Sequence, residues 1–124
     1  MRTVVAIAIF GTLGCLARYG QILLVQQIAG RAFPFAVLSI NVIGSFLIGL
    51  LFFSSLERFS IGPAIRIGIL TGFLGGYTTF STFELETLLL VENGQMLRAA
   101  LYIASSVGLG LIAVLAGAAL ARSL

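Results

Sequence analysis

Residues 72–86 read GFLGGYTTFSTFELE and place three glycines and five hydroxyl side chains inside an otherwise apolar run. Other side chains with chemistry to offer are few: Arg18, Asn41 with Ser45 one turn on, and Tyr102 with Ser106. The chain has no histidine and a single cysteine, so neither a nucleophile–base pair nor a His/Cys metal cluster can be assembled. What remains is the chemistry of hydrogen-bond donors, ring edges and backbone groups.

Gly72, Gly75 and Gly76 weaken a helix, and Tyr77-Thr78-Thr79 adds β-branched residues. Ser81-Thr82-Phe83-Glu84 then matches the S/T-x-x-E capping box, so a new helix is expected to begin there. At membrane depth, broken backbone is tolerated only where it faces protein, a cavity or an ion. Freed carbonyls suit a hard cation and a new helix N-terminus suits an anion, while a packing kink is the plainer alternative.

Phe80 and Phe83 stand side by side on the second half-helix. Their electropositive edges can meet an anion, although paired phenylalanines on a membrane helix are ordinarily packing. Ser81 and Thr82 add hydroxyl donors, and Tyr102 with Ser106 puts a polar line on the last helix. Glu86, one turn beyond Thr82, lies either near the interface or on an aqueous path. Asn41 is either an interhelical contact or a donor to an anion, since a buried amide must find partners. Arg18 shares a helix face with Gln21 and Gln26, with no carboxylate in its span. It either snorkels to a headgroup or lines a basic, water-filled vestibule.

The elements that must position these groups follow from composition. Of 124 residues, 60% are hydrophobic and 9% charged, too few charges to cover a soluble surface, so the chain is a membrane protein. Four apolar runs, 3–28, 35–53, 61–91 and 97–120, predict a single all-α domain of four transmembrane helices. The first reads as a retained helix rather than a cleaved signal. The third run is about 31 residues against the roughly 20 a straight span needs, and its break is expected at 75–78. Small residues recur at helix-contact spacing: Gly11 and Cys15, Ser45 and Gly49, Ser106 and Gly110, Ala113 and Gly117. Cys15 accordingly reads as a small packing residue.

All seven basic residues are Arg and all four acidic ones Glu, and the net charge of +3 is scattered, so nucleic acid is not an expected partner. Four spans put Arg2, Arg58, Arg66 and Arg122 on one side, against Arg18, Arg31 and Arg98 toward the other. This near balance is compatible with one orientation set by context or with insertion both ways and antiparallel pairing. No internal repeat is present, so a symmetric path would need a second copy of the chain.

In length, four-span layout and motif order the chain resembles the Fluc (CrcB) family of small fluoride channels. The residues that carry the likeness are GFLGGYTTFSTFELE, the Asn-centred NVIGSFLIG at 41–49, and Arg18. The resemblance implies an antiparallel, dual-topology homodimer in a bacterial plasma (inner) membrane, releasing cytoplasmic fluoride passively through two pores. It assigns the fluoride pathway to Asn41, Phe80, Phe83, Ser81, Thr82, Tyr102 and Ser106, and a vestibule to Arg18. It also implies a structural Na+ at the dimer centre, held by the backbone carbonyls of Gly75 and Thr78. Gly110 stands where the family sometimes carries a further hydroxyl. A small proton-coupled multidrug exporter, also a four-span antiparallel dimer, is the alternative. It would need a carboxylate deep in the first span, where this chain has Arg18. A non-transporting accessory subunit would leave the combined motifs unexplained.

Overall fold

In lipid, a helix satisfies its backbone hydrogen bonds within its own segment, so the long apolar runs fold as helices. The computed structural model describes residues 1–57 and 61–124, the side chains of 55–57 excepted. Helix α1 spans Arg2–Ala29, α2 Phe35–Glu57 and α6 Met96–Ser123. Among the described residues these three are long and apolar enough to cross a membrane, α2 through its stretch Phe35–Ser54. Arg58, which enters the charge balance above, lies outside the described residues.

The third run is assembled from pieces. Helix α3 (Pro63–Ile67) begins with proline in its first turn, where a missing N–H costs nothing. A π-helical turn, Gly68–Phe73, leads into α4 (Leu74–Tyr77). Thr78 and Thr79 are both extended, and α5 (Phe80–Glu92) follows. The interruption is therefore the two threonines, not the glycine pair before them.

Those glycines have a different task. Gly68, Gly72 and Gly76 repeat every four residues and face α1, which lies along 63–77. A Cβ at Gly72 would stand 2.9 Å from the carbonyl oxygen of Ile7, and one at Gly76 2.6 Å from that of Gly11. From the other side, a Cβ on Gly14 would collide with the carbonyl of Phe73. Gly72 and Gly76, expected to weaken the helix, instead form its contact surface. Close backbone approach gives dispersion contact where lipid supplies no hydrophobic drive. Only Gly75 of the three expected helix-weakeners points away from other residues of the chain, with nothing within 4 Å of where its Cβ would be.

Helices α2 and α6 pack the same way. A Cβ at Gly49 would strike the Val114 carbonyl, and one at Gly117 the Phe46 carbonyl. Helix α5 lies against α6, and Tyr102 of α6 is completely buried there with Val37 of α2 and Phe83 of α5. The first half of the broken span thus belongs with α1 and the second half with α6. The break sits between them.

Candidate ion pathway

The break is held by a side chain from another helix. In an unbroken helix the amide of Thr79 would donate to the carbonyl of Gly75, four residues back. It donates instead to Asn41 Oδ1 at 2.9 Å, while Asn41 Nδ2 donates to the Thr79 carbonyl at 3.0 Å. One amide side chain thereby gives the Thr79 N–H a new partner and the Thr79 carbonyl a second donor, and the Gly75 carbonyl loses its helical donor. Thr78 ends α4 by turning its hydroxyl onto the Leu74 carbonyl at 2.8 Å. Thr79 then caps α5, its Oγ1 accepting from the amide of Thr82 at 3.3 Å and donating to Thr82 Oγ1 at 2.9 Å.

The N-cap of the new helix is thus Thr79, two residues ahead of the Ser81 frame read from the capping-box pattern. The Thr82 hydroxyl is engaged in this cap, and Ser81 is exposed away from the neighbouring cavity. Gly44 of α2 makes room for the arrangement, because a Cβ there would run into the Thr78 methyl group.

Beside the break lies a cavity of about 210 Å³, lined by Asn41, Thr78, Thr79, Phe80, Phe83, Ser106 and Val107. Four of the expected path residues, Asn41, Phe80, Phe83 and Ser106, are brought together here from three helices. The Ser106 hydroxyl is buried and has no hydrogen-bond partner among the described residues. A buried hydroxyl without a partner forfeits about 1–3 kcal/mol of desolvation unless something else binds it. Phe80 and Phe83 meet at a tilt with centroids 5.6 Å apart, Phe83 buried and Phe80 69% exposed on the single chain.

Tyr102 is one layer behind. Its ring meets Phe83 in an edge-on contact with centroids 5.1 Å apart, and its hydroxyl donates to Glu86 Oε2 at 2.6 Å. Of the two residues expected to form a polar line, Tyr102 is hydrogen-bonded to Glu86, and the Ser106 hydroxyl bonds to neither.

Arg18 reaches the break itself. Its guanidinium donates to the Thr78 carbonyl at 3.3 Å, so neither alternative read from the sequence describes it fully. Eleven residues separate it from Ala29, the end of α1, a depth of roughly 16 Å at 1.5 Å per residue. Gln21, on the same face, accepts from the Tyr77 hydroxyl and donates to Ser39 Oγ at 3.0 Å. Ser39 passes the chain on to the Ala36 carbonyl at 2.8 Å. Sequence reasoning missed Tyr77, Thr79 and Ser39 as members of this network. Thr79 was accessible in principle, since Thr79-Phe80-Ser81-Thr82 is also a hydroxyl three residues ahead of a helix-entry amide.

Two carbonyls at the break, those of Gly75 and Thr78, are candidates to hold a hard cation. The first is freed by Asn41, and the second already accepts from a cationic group, Arg18. This oxygen donor set is compatible with Na+. No group of three or more His, Cys, Asp or Glu side chains that could hold a metal occurs among the described residues.

Comparison with known proteins fits this layout. The family described as CrcB-like protein, Camphor Resistance (CrcB), matches residues 5–118. A fluoride-specific ion channel FluC of Acidithiobacillus ferrooxidans is 57% identical over 117 residues, covering 94% of this chain and 94% of that protein. The protein of the same name from Geobacter sulfurreducens is 48% identical over 124 residues, covering all of both chains. That of Rhizobium meliloti is 44% identical over 124 residues, covering 100% of this chain and 99% of its own. With a family match across nearly the whole chain and relatives this similar end to end, this membrane protein belongs to the CrcB family.

Proposed function

We propose that the chain is a fluoride-selective ion channel that releases cytoplasmic fluoride passively and so lowers its toxicity. The observation that carries the reading is the cavity at the break, which Ser106 lines together with Asn41 and the Phe80–Phe83 pair, and beside which the buried Ser106 hydroxyl has no hydrogen-bond partner among the described residues. Fluoride is small and strongly hydrated, so a selective path must replace its water with several weak donors in series. Hydroxyls, an amide and electropositive ring edges do this without one deep trap. Nothing in such a path breaks or forms a covalent bond, so the protein is a conduit and not an enzyme.

The single chain leaves the path open on one flank, because Phe80 and Gly75 are exposed beside the break. A second copy, packed antiparallel, would close that flank and complete two pores, each drawing on both subunits. The near-balanced arginine count supports insertion in both orientations in a bacterial plasma (inner) membrane. At the centre of such a dimer the Gly75 and Thr78 carbonyls of both copies would hold a structural Na+. That ion would supply one positive charge where carbonyl dipoles crowd. The fluoride path would run along Asn41, Phe80, Phe83 and Ser106 toward Tyr102, with Ser81 and Thr82 contributing only by turning from their positions in the single chain. Arg18 would draw anions to the level of the break. The multidrug-exporter alternative finds no support at α1, where the half-buried charged group is this arginine and no carboxylate is present.

The test is fluoride efflux from liposomes containing the purified protein, followed with a fluoride electrode against chloride as control. Rapid efflux of fluoride alone is expected; equal efflux of both anions, or of neither, would sink the reading.

A further inference from the structure

At the end of the molecule where α1 passes into α2 and α5 turns into α6, a second cavity of about 360 Å³ opens. Its polar lining includes Gln26, Arg31, Glu86, Asn93, Gln95 and Arg98. It is separate from the cavity at the break, yet one side chain connects them. Glu86 lines this second cavity and accepts the Tyr102 hydroxyl at 2.6 Å, and Tyr102 packs edge-on against Phe83, which lines the first.

The charges at this cavity are not cancelled by pairing. Arg98 Nη1 donates to the Ala32 carbonyl at 3.3 Å and to Gln95 Oε1 at 3.2 Å, both neutral acceptors. These bonds pin the guanidinium at the rim and join the 30–34 linker to the start of α6, without neutralising it. Arg31 forms no ion pair with a carboxylate among the described residues. The one carboxylate in the lining, Glu86, is turned toward Tyr102. Two cations therefore stand at a concave polar space separated from the first cavity by the layer of Tyr102 and Phe83. With two arginines against one carboxylate in the lining, positive charge is in excess, and such an excess in a cleft raises the local concentration of counter-ions.

We propose that this cavity is the second mouth of the ion path and that Arg31 and Arg98 make it an anion-collecting site for small hard anions such as fluoride. The inference rests on the channel reading above. It gives the path two differently built basic ends: Arg18 at the level of the break, and this rim at the linker end. An anionic lipid headgroup has the same chemistry as the expected ligand, so the experiment separates the two sources.

Initial fluoride efflux is measured for the full chain and for R31Q, R31K, R98Q and R98K in neutral phosphatidylcholine vesicles and in vesicles containing phosphatidylglycerol, at low and high ionic strength. R31Q and R98Q are expected to cut efflux about fivefold at 10 mM salt and less than about twofold at 1 M, where the Debye length is about 3 Å. R31K and R98K should restore most of the low-salt flux, because they keep the charge. R31Q is the cleaner variant, since Arg98 also ties the linker in place. Equal losses at both ionic strengths would make the role structural and overturn the proposal. Wild-type efflux in every R31 variant would do the same, and so would a loss seen only in vesicles containing phosphatidylglycerol, which would assign the rim to lipid. A wild-type chain without fluoride efflux would remove the channel reading and this inference together, whereas wild-type efflux with salt-independent variants removes this inference alone.

Discussion

Asn41 and Thr79 are joined twice, oxygen to amide at 2.9 Å and amide to carbonyl at 3.0 Å, across 38 positions of sequence. The pair does from a side chain what a neighbouring strand does from a backbone. It lets two threonines remain extended between helices with the Thr79 N–H paired, while the Gly75 carbonyl is released. Asn41→Ala removes both bonds and should lower the melting temperature in detergent, by a destabilisation of roughly 1–3 kcal/mol, because it leaves the Thr79 N–H unsatisfied while the Thr79 carbonyl keeps its helical donor. Asn41→Asp keeps the acceptor but sets a carboxylate against the Thr79 carbonyl, so it should be destabilising and also repel an anion. An Asn41→Ala protein that melts like the wild type would show that the clamp is not what holds the break.

Phe80 and Phe83 separate packing from conduction. Replacing either by Ile changes volume little and should cost at most about 1.5 kcal/mol of stability. If ring edges line the path, each change should still cut fluoride efflux at least about tenfold, about 1.4 kcal/mol on the barrier. Phe→Met at either position should retain more flux than Phe→Ile, because a polarizable thioether fills similar space. Efflux per folded protein, with folding checked by gel filtration, is the readout. Wild-type flux in both Ile variants would return the two rings to packing alone.

The carbonyl that would face Na+ already faces a cation. Arg18 donates to the Thr78 carbonyl, so Arg18→Gln should free that oxygen and enlarge the gain in melting temperature when Na+ replaces N-methyl-D-glucamine. A cation at 100 times its Kd contributes about 2.7 kcal/mol, enough to read by thermal unfolding. Indifference of wild type and variant alike to Na+ would count against a bound ion.

Glycine positions give a prediction that does not depend on function. Gly117→Ala drives a methyl group into the Phe46 carbonyl and should destabilise the fold by roughly 1–3 kcal/mol. Gly108→Ala, on the same helix with nothing within 4 Å, should be neutral or stabilising by up to about 1 kcal/mol. Chemical unfolding in mixed micelles would rank them, and the reverse order would mean that α2 and α6 do not pack as described.

Dual orientation is checked by labelling. A single cysteine placed at either terminus in a Cys15→Ser background should react with an impermeant maleimide from both sides of the cell membrane. Reaction from one side only would exclude antiparallel pairing by random insertion.

The sequence carried much of this architecture for a physical reason: apolar length leaves lipid-embedded backbone little choice but helix. The expected runs at 3–28, 35–53 and 97–120 lie inside α1, α2 and α6. The fine structure of the third run was less accessible. TTFSTFE offers several frames in which a hydroxyl can cap a helix. Asn41, remote in sequence, engages the Thr79 peptide, leaving Thr79 extended where it can cap α5. Glycine likewise has two meanings, a weak helix former or a place where backbones touch. Only the position of α1 assigns the second to Gly72 and Gly76. Thr82 illustrates the same limit, because its hydroxyl suits a path but is engaged by the cap.

The two halves of the broken span are allotted to different neighbours, 63–77 to α1 and 80–92 to α6. The chain thus falls into two packed groups whose broken span crosses from one to the other through a seam two residues wide, with Asn41 as a rivet through it. A displacement of one group against the other, as from a thickening or thinning bilayer, would have to be taken up in part at Thr78 and Thr79. The amide of Thr79, hidden from solvent by the Asn41 carbonyl, is the proton whose exchange would report that seam working loose before the rest of the molecule does.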